Sequence, residues 1–335
     1  MDFTELIDLA SERLGGAALA ANDEFFAPKE NLLKPDKPIF VEGKYTDVGK
    51  WMDGWETRRR RTPGFDWCII RLGLPGILRG VVVDTSHFRG NHPEHCSLDA
   101  CAMEGRPDIE KLTGAETPWI EVLSKAALQG DSQNRFAIDS PQRFTHLRFK
   151  IYPDGGVARL RVYGESAPDW ALLAHSGNDI DLAAVEHGGL VVACSDMFFG
   201  SRHNLIMPGR AASMGDGWET CRRRGPGHDW AVIQLGTRGT IRRVEVDTAH
   251  FKGNFPESCS LETCAACGKP TEEAALAALP WAEVLPRTKL QADARHFFEK
   301  ELKSAGEVTH VRFNIYPDGG VSRLRIFGRI SERRD

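Results

Sequence analysis

No run of apolar residues in this 335-residue chain is long enough to cross a bilayer. The opening residues Met-Asp-Phe-Thr-Glu lack the basic segment and apolar stretch of an export signal. Both absences lead to the expectation of a cytoplasmic protein with no membrane partner. An excess of positive charge is missing as well: the net charge is −4, which argues against a nucleic-acid footprint spread over the surface. Strong helical periodicity is nearly absent. The pattern predicts a short helix over Thr4–Arg13 and a better one over the Ala-rich Thr271–Leu279, with Glu272 and Glu273 in its first turn. No Ser-His-Asp array, Walker loop or dinucleotide glycine fingerprint sits beside a suitable strand–helix unit.

Eight cysteines are present, but they do not read as a disulfide framework. Cys96–Cys101 and Cys259–Cys264 have the character of strands, in which residues five apart point to opposite faces and lie roughly 16 Å apart. A disulfide needs Cα atoms within about 7 Å, so neither pair can close on itself. Cys264 and Cys267 are spaced like half of a zinc ribbon, with no second half. Buried reduced thiols are expected.

What the chain does have is a duplication. Asp53–Cys101 aligns without a gap to Asp216–Cys264, with 31 of 49 positions identical, and Thr145–Gly164 returns as Thr309–Gly328 with 15 of 20 identical. Ile7–Ala10 reappears as Ile180–Ala183, and Asp23–Phe26 as Asp196–Phe199. The period, about 165 residues, is far beyond that of solenoid repeats and large enough for a domain. With 41% hydrophobic content there is material for two cores. Domains are therefore expected at residues 1–168 and 169–335, with a linker at roughly 165–178. Between Leu33 and Asp53 the first copy carries ten residues more than the second does between Ile206 and Asp216, which reads as a surface-loop insertion.

Within each copy short β-rich runs are bounded by Gly, Pro, Asn or Asp: Trp67–Gly73, Val81–Asp84, Cys96–Cys101, Trp119–Leu123, His146–Tyr152 and Val157–Tyr163. Without intervening helices they imply an all-β fold, an antiparallel sandwich or barrel in duplicate. His146–Tyr163 looks like a hairpin around Pro153-Asp-Gly-Gly. Its alternation places Leu147, Phe149, Ile151, Ala158, Leu160 and Val162 in the core, with Arg148, Lys150, Arg159 and Arg161 opposite. Asp154 and Asp318 are expected to cap their own turns, and Arg159 and Arg323 to pair with loop carboxylates.

Two segments could carry chemistry. The first is Asp53-Gly-Trp-Glu-Thr-Arg-Arg-Arg-Arg, matched by Asp216-Gly-Trp-Glu-Thr-Cys-Arg-Arg-Arg. Arginine forks suit a carboxylate, the tryptophans could exclude water, and an acid with a raised pKa could trade protons. The alternative is that these charges tie a loop to the sandwich. The second is Val81–Asn91, matched by Val244–Asn254, where a strand runs out into His-Phe-Arg/Lys-Gly-Asn. Strict alternation would put His87 on the face of Val81 and Val83, away from Asp84, as a core-rim histidine unless a bulge intervenes. Arg89, Lys252, Asn91 and Asn254 are placed to meet a small polar ligand. His87, His92 and His95 could ligate a divalent ion, although the second copy has Phe255 and Ser258 at the latter two positions, with His228 and His296 elsewhere. The spacing matches no standard set, so no cofactor is required by the sequence.

Taken together, Ser195–Gly200, Met214–Arg224, Asp247–Asn254, Glu257–Glu262 and Tyr316–Arg325 resemble the allantoicase family over nearly the whole chain. The resemblance implies two tandem jelly-roll β-sandwiches of the galactose-binding-like type, homo-oligomeric assembly, and hydrolysis of allantoate to ureidoglycolate and urea. Such a substrate asks for a cation on its carboxylate, polar partners for its ureido groups, and an acid–base for the departing urea. Arg222 or Arg223 (Arg59 or Arg60 in the first copy) would hold the carboxylate beside Trp218 or Trp55. Glu219 or Asp216 (Glu56 or Asp53) would be the acid–base, with His250 or His87 the alternative shuttle, and Lys252 and Asn254 would orient the ureido groups. The rivals are a non-catalytic pair of sugar-like-ligand-binding sandwiches and a hydrolase of a neighbouring ureide such as ureidoglycolate.

Overall fold

Two 19-residue strands, Asp66–Asp84 and Asp229–Asp247, organise the rest of the chain. The computed structural model describes residues 2–175, 177–268 and 270–331. It divides into two compact units, a first of Asp2–Ala167 and a second from Pro168 onward. In the first unit the strand order is Ile7–Asp8, Arg159–Ser166, Asp66–Asp84, Arg143–Tyr152, His95–Cys101, Ile120–Ala127. Ala17–Ala21 and Gln133–Ala137 add to the long strand. The second unit repeats this order with Ile180–Asp181, Arg323–Ile330, Asp229–Asp247, Glu307–Tyr316, Ser258–Cys264 and Ala282–Lys289. Leu190–Cys194 and Arg295–Phe298 take the two side positions.

A strand this long can serve two layers. Residues 68–71 lie between Ala17–Ala21 and Arg143–Tyr152, whereas residues 80–84 lie between Gln133–Ala137 and Arg159–Ser166. The change of partners falls at the Gly73-Leu-Pro-Gly76 stretch, where glycine and proline permit the bend that turns a sandwich corner. Each unit is thus an antiparallel, all-β jelly-roll sandwich. The runs Trp67–Gly73 and Val81–Asp84, separate in the sequence pattern, are two ends of one strand.

The expected hairpin is not one. Arg143–Tyr152 and Arg159–Ser166 do not pair with each other; both pair with Asp66–Asp84, one at each end. Between them Gly156–Val157 is captured by Trp55–Glu56, and the Ala158 N–H bonds the Asp84 carbonyl at 2.8 Å, which carries the chain across to the other layer. The alternation itself holds: Leu147, Phe149, Ile151, Ala158, Leu160 and Val162 are all buried. The basic residues opposite are neutralised, Arg148 and Lys150 by Asp99 at 2.7 and 2.9 Å, and Arg312 by Glu262 at 2.5 Å.

Other expectations need correction. Thr4–Arg13 is not a helix: Phe3–Glu5 and Glu12–Leu14 are single 3-10 turns around the strand Ile7–Asp8, because Ile7 and Leu9 are drawn into the core. Glu273–Ala277 is helical, inside the predicted Thr271–Leu279. A short helix, Trp170–His175, occupies part of the stretch read as linker. Every cysteine is free. Cys68, Cys96, Cys101, Cys259 and Cys264 are buried, and burial pushes the Cys96 and Cys259 thiols up to about 12, but Cys221 and Cys267 are exposed.

Candidate functional site

The Gly-Trp-Glu-Thr segment is anchored from inside. Trp218 is fully buried, packs against Phe313, and donates from its indole N–H to the Asp196 carbonyl at 2.9 Å. Trp55 does the same with Phe149 and Asp23. Burying such a ring contributes roughly 2–3 kcal/mol. Both tryptophans are core residues, so the expected role as ligand walls does not hold. What they do is fix the backbone of the next residue. Glu219 pairs with Gly320 and bridges to Gly200, as Glu56 pairs with Gly156 and bridges to Ala27.

The second segment is anchored by its phenylalanine. Phe88 and Phe251 are fully buried, each against the glycine of that pairing strand; a Cβ on Gly156 or Gly320 would sit 1.9 Å from the ring. The strand ends at Asp84 and Asp247, so alternation does not reach the histidines. His87 and His250 instead take left-handed backbone, φ 70° and 71°, with their N–H groups bound to Asp131 and Asp293. Their rings turn to backbone carbonyls, His87 Nε2 to Pro38 at 3.3 Å and His250 Nε2 to Ala211 at 2.9 Å. That use makes them clips on the preceding loop.

The two segments meet at the glutamates. Asn254 donates its side-chain amide to Glu219 Oε1 at 2.5 Å, and Asn91 donates to Glu56 Oε1 at 2.7 Å. The Asn254 carbonyl also accepts from Gly320 N–H at 2.8 Å, so side chain and backbone are held to the same turn. In the second unit this contact faces an open cleft of ≈ 790 Å³, which Arg222, Arg223, Lys289 and Phe199 also line. In the first unit burial raises the Glu56 carboxyl, opposed by the Asn91 hydrogen bond.

The remaining charged candidates divide by partner. Asp53 is locked to Arg159 at 2.7 Å and Asp216 to Arg323 at 3.0 Å, the scaffold pairing expected of those arginines. Burial alone would raise the Asp53 carboxyl, but Arg159, the Ile39 N–H and Lys34 outweigh it and hold it low. Neither aspartate faces the cleft as a free acid. Arg60 pairs with Asp66 at 2.6 Å and Arg223 with Asp229, so these two arginines brace the loop. Arg59 and Arg222 are exposed and make no ion pair among the described residues. Asp154 and Asp318 do not cap their own turns; they accept the Arg60 and Arg223 backbone N–H groups at 2.8 and 2.7 Å. Lys252 is exposed and lies off the cleft lining, and Arg89 pairs with Asp131 at 3.1 Å.

Lys289 was missed. It reaches the cleft from the end of Ala282–Lys289, a strand with no motif, and its register partner Ser258 corresponds to His95, which faces Ala127 in the first unit. Comparing the two copies at that strand end is the signal that could have found it.

Among the described residues the candidate metal ligands do not come together. His92 Nδ1 is taken up by the Arg89 carbonyl, His228 by Asn314 and Tyr316, and His296 by Val246 and Gln291. Among the described residues no group of three or more His, Cys, Asp or Glu is placed to hold an ion. Among the described residues no helix is long and apolar enough to cross a membrane.

Fold and cleft together define a tandem β-sandwich protein with an open cleft lined by a carboxyl–amide pair and an exposed guanidinium that makes no ion pair among the described residues. The chain belongs to the allantoicase family, whose repeat matches residues 7–167 and again 180–331. It is 50% identical over 327 residues to a probable allantoicase 1 of Burkholderia mallei, covering 97% of this chain and 95% of that one. It is 53% identical over 330 residues to a probable allantoicase of Pseudomonas paraeruginosa, covering 98% and 97%. The crystal structure of allantoicase from Saccharomyces cerevisiae superimposes with a TM-score of 0.81 at 38% identity, covering 96% of this chain and 92% of that one. A second allantoicase structure gives 0.82 at 38%, covering 97% and 93%.

Proposed function

We propose that this chain hydrolyses allantoate to ureidoglycolate and urea, and that the cleft of the second unit is where it does so. The observation that carries the placement is the Glu219–Asn254 contact opening onto a cleft that also holds an uncommitted arginine, Arg222. Arg222 grips the substrate carboxylate as a planar fork. The second Glu219 oxygen, free of Asn254, directs water at the central carbon and returns the proton to the departing ureido nitrogen. Water adds its oxygen to that carbon, the carbon–nitrogen bond breaks, and urea leaves with the proton. Asn254 holds the carboxyl in place, and Lys289, on the same lining, adds positive charge. Asp216, Arg223 and His250 are positioning residues in this scheme, because each already spends its polar atoms on the scaffold.

The test is urea release from allantoate by the wild-type chain and by Glu219→Gln, with a thermal melt of each. The Gln side chain can still accept from Asn254, so the melt should not move, while kcat/KM falls about 10²- to 10⁴-fold. An unchanged melt with full turnover removes Glu219 from the reaction.

The same reading takes allantoate as the partner molecule, without nucleic acid or membrane, and a cytoplasmic setting. It also takes assembly into a homo-oligomer, for which the exposed Met197, Phe198 and Phe199 beside the cleft offer apolar surface. A single monomer mass in sedimentation at micromolar concentration would count against assembly.

A further inference from the structure

The first unit contains a pocket whose walls the second unit cannot copy. It measures ≈ 470 Å³ and is lined by Phe40, Lys50, Met52, His87, Arg89, Gly90 and Asn91. Phe40, Lys50 and Met52 belong to the stretch 34–52, which is ten residues longer than its counterpart 207–215. The other four belong to the duplicated His-Phe-Arg/Lys-Gly-Asn turn. The insertion therefore adds a wall to a turn that both units share.

The wall is cationic and aromatic. Lys50 Nζ stands 4.5 Å from the centre of the Phe40 ring and forms no ion pair among the described residues. The His87 ring lies 5.8 Å from Phe40 at an interplanar angle of 31°, steadied by its bond to the Pro38 carbonyl. Arg89 binds Asp131 through Nε, and its side chain is 85% exposed, which leaves the outer guanidinium nitrogens for a ligand. No Asp or Glu lines the pocket. Glu56 approaches it through Asn91, whose amide Glu56 accepts. Lys50, with the outer nitrogens of the Asp131-paired Arg89 and no lining acid, favours an anion, and the Phe40 and His87 rings, tilted 31° to each other, offer aromatic faces to a planar group.

We propose that this pocket is a binding site for a small carboxylate bearing a planar ureido or amide group, separate from the cleft at Glu219. The ureido half of that description rests on the reading of the chain as a ureide hydrolase. Each copy of the chain then carries two sites for one ligand class, one that reacts and one that holds.

Calorimetric titration with ureidoacetate tests it, because that compound has the carboxylate and one ureido group, but its α-carbon carries a single nitrogen and lacks the second ureido group of allantoate. Wild type should bind two per chain. Lys50→Glu, an exposed loop substitution checked by thermal melt, should weaken one site about tenfold or more by placing like charges together, leaving one site. Arg222→Gln should remove the other. If wild type binds one and Lys50→Glu none, the pocket stands and the cleft reading fails. If Lys50→Glu leaves the titration unchanged, or wild type binds none, the pocket proposal is overturned.

Discussion

Glu219 and Asn254 stand 35 positions apart, and neither identifies its partner in the sequence. What was legible was that both lay in duplicated segments rich in ligand-type side chains. Which arginine was free was not legible, because Arg222 and Arg223 are adjacent and chemically alike, and only the fold shows that Asp229 claims one of them. This gives a residue-scale prediction. Arg222→Gln should lower kcat/KM about 10- to 100-fold, mainly through KM, as expected for loss of a carboxylate contact made in both ground and transition states. Arg224→Gln, an exposed neighbour off the cleft lining, should change neither. Equal effects from the two would mean that the loop acts through charge alone.

At the scale of elements, the strand inventory was readable from alternation, and the inward set around Leu147, Phe149 and Ile151 was correct. Pairing was not readable. A run of Tyr-Pro-Asp-Gly-Gly between two alternating strands signals a hairpin locally, but the capture of Gly156–Val157 by Trp55–Glu56 is a contact across about a hundred residues. The same capture makes a sharp demand on glycine. Gly320→Ala would drive a methyl group into the Phe251 ring and push the Glu219 strand off its pairing. Overpacking of this kind typically costs about 1–3 kcal/mol. The variant should therefore melt lower and lose activity, whereas alanine at Gly253, where a Cβ meets nothing within 4 Å, should leave the melt near that of wild type. A Gly320→Ala protein with a wild-type melt would show that the turn is looser than drawn.

For the whole molecule, duplication was the clearest message of the sequence, and it is the architecture. The difference between the pockets of the two copies was hidden, because it depends on an insertion that adds a wall in the first and on Lys289 arriving from a motif-free strand in the second. The copies do share a buried histidine that the chemistry does not use. His146 and His310 are each 1% exposed, with Nδ1 bonded to a threonine hydroxyl and Nε2 buried without a partner. Burial pushes both pKa values down, that of His310 to about 4. Such a group favours the folded state while neutral, so its contribution is complete above the ordinary value of 6.5 and is lost as pH falls toward 4, where the unfolded chain binds the extra proton first. For His310 alone the loss is on the order of 3 kcal/mol. Denaturant midpoints measured from pH 7 to pH 4 should fall more steeply for wild type than for His310→Gln; identical slopes would mean that His310 titrates normally in the fold.

The most direct measurement is to set Glu219→Gln beside Glu56→Gln in one assay of urea release from allantoate, with melts for both. The duplicated glutamates hold the same bond to an asparagine, and Glu219 opens onto a cleft that it shares with Arg222, which makes no ion pair among the described residues. Turnover should collapse in Glu219→Gln and persist in Glu56→Gln. Collapse in Glu56→Gln with full activity in Glu219→Gln would place the chemistry in the other unit and contradict the account.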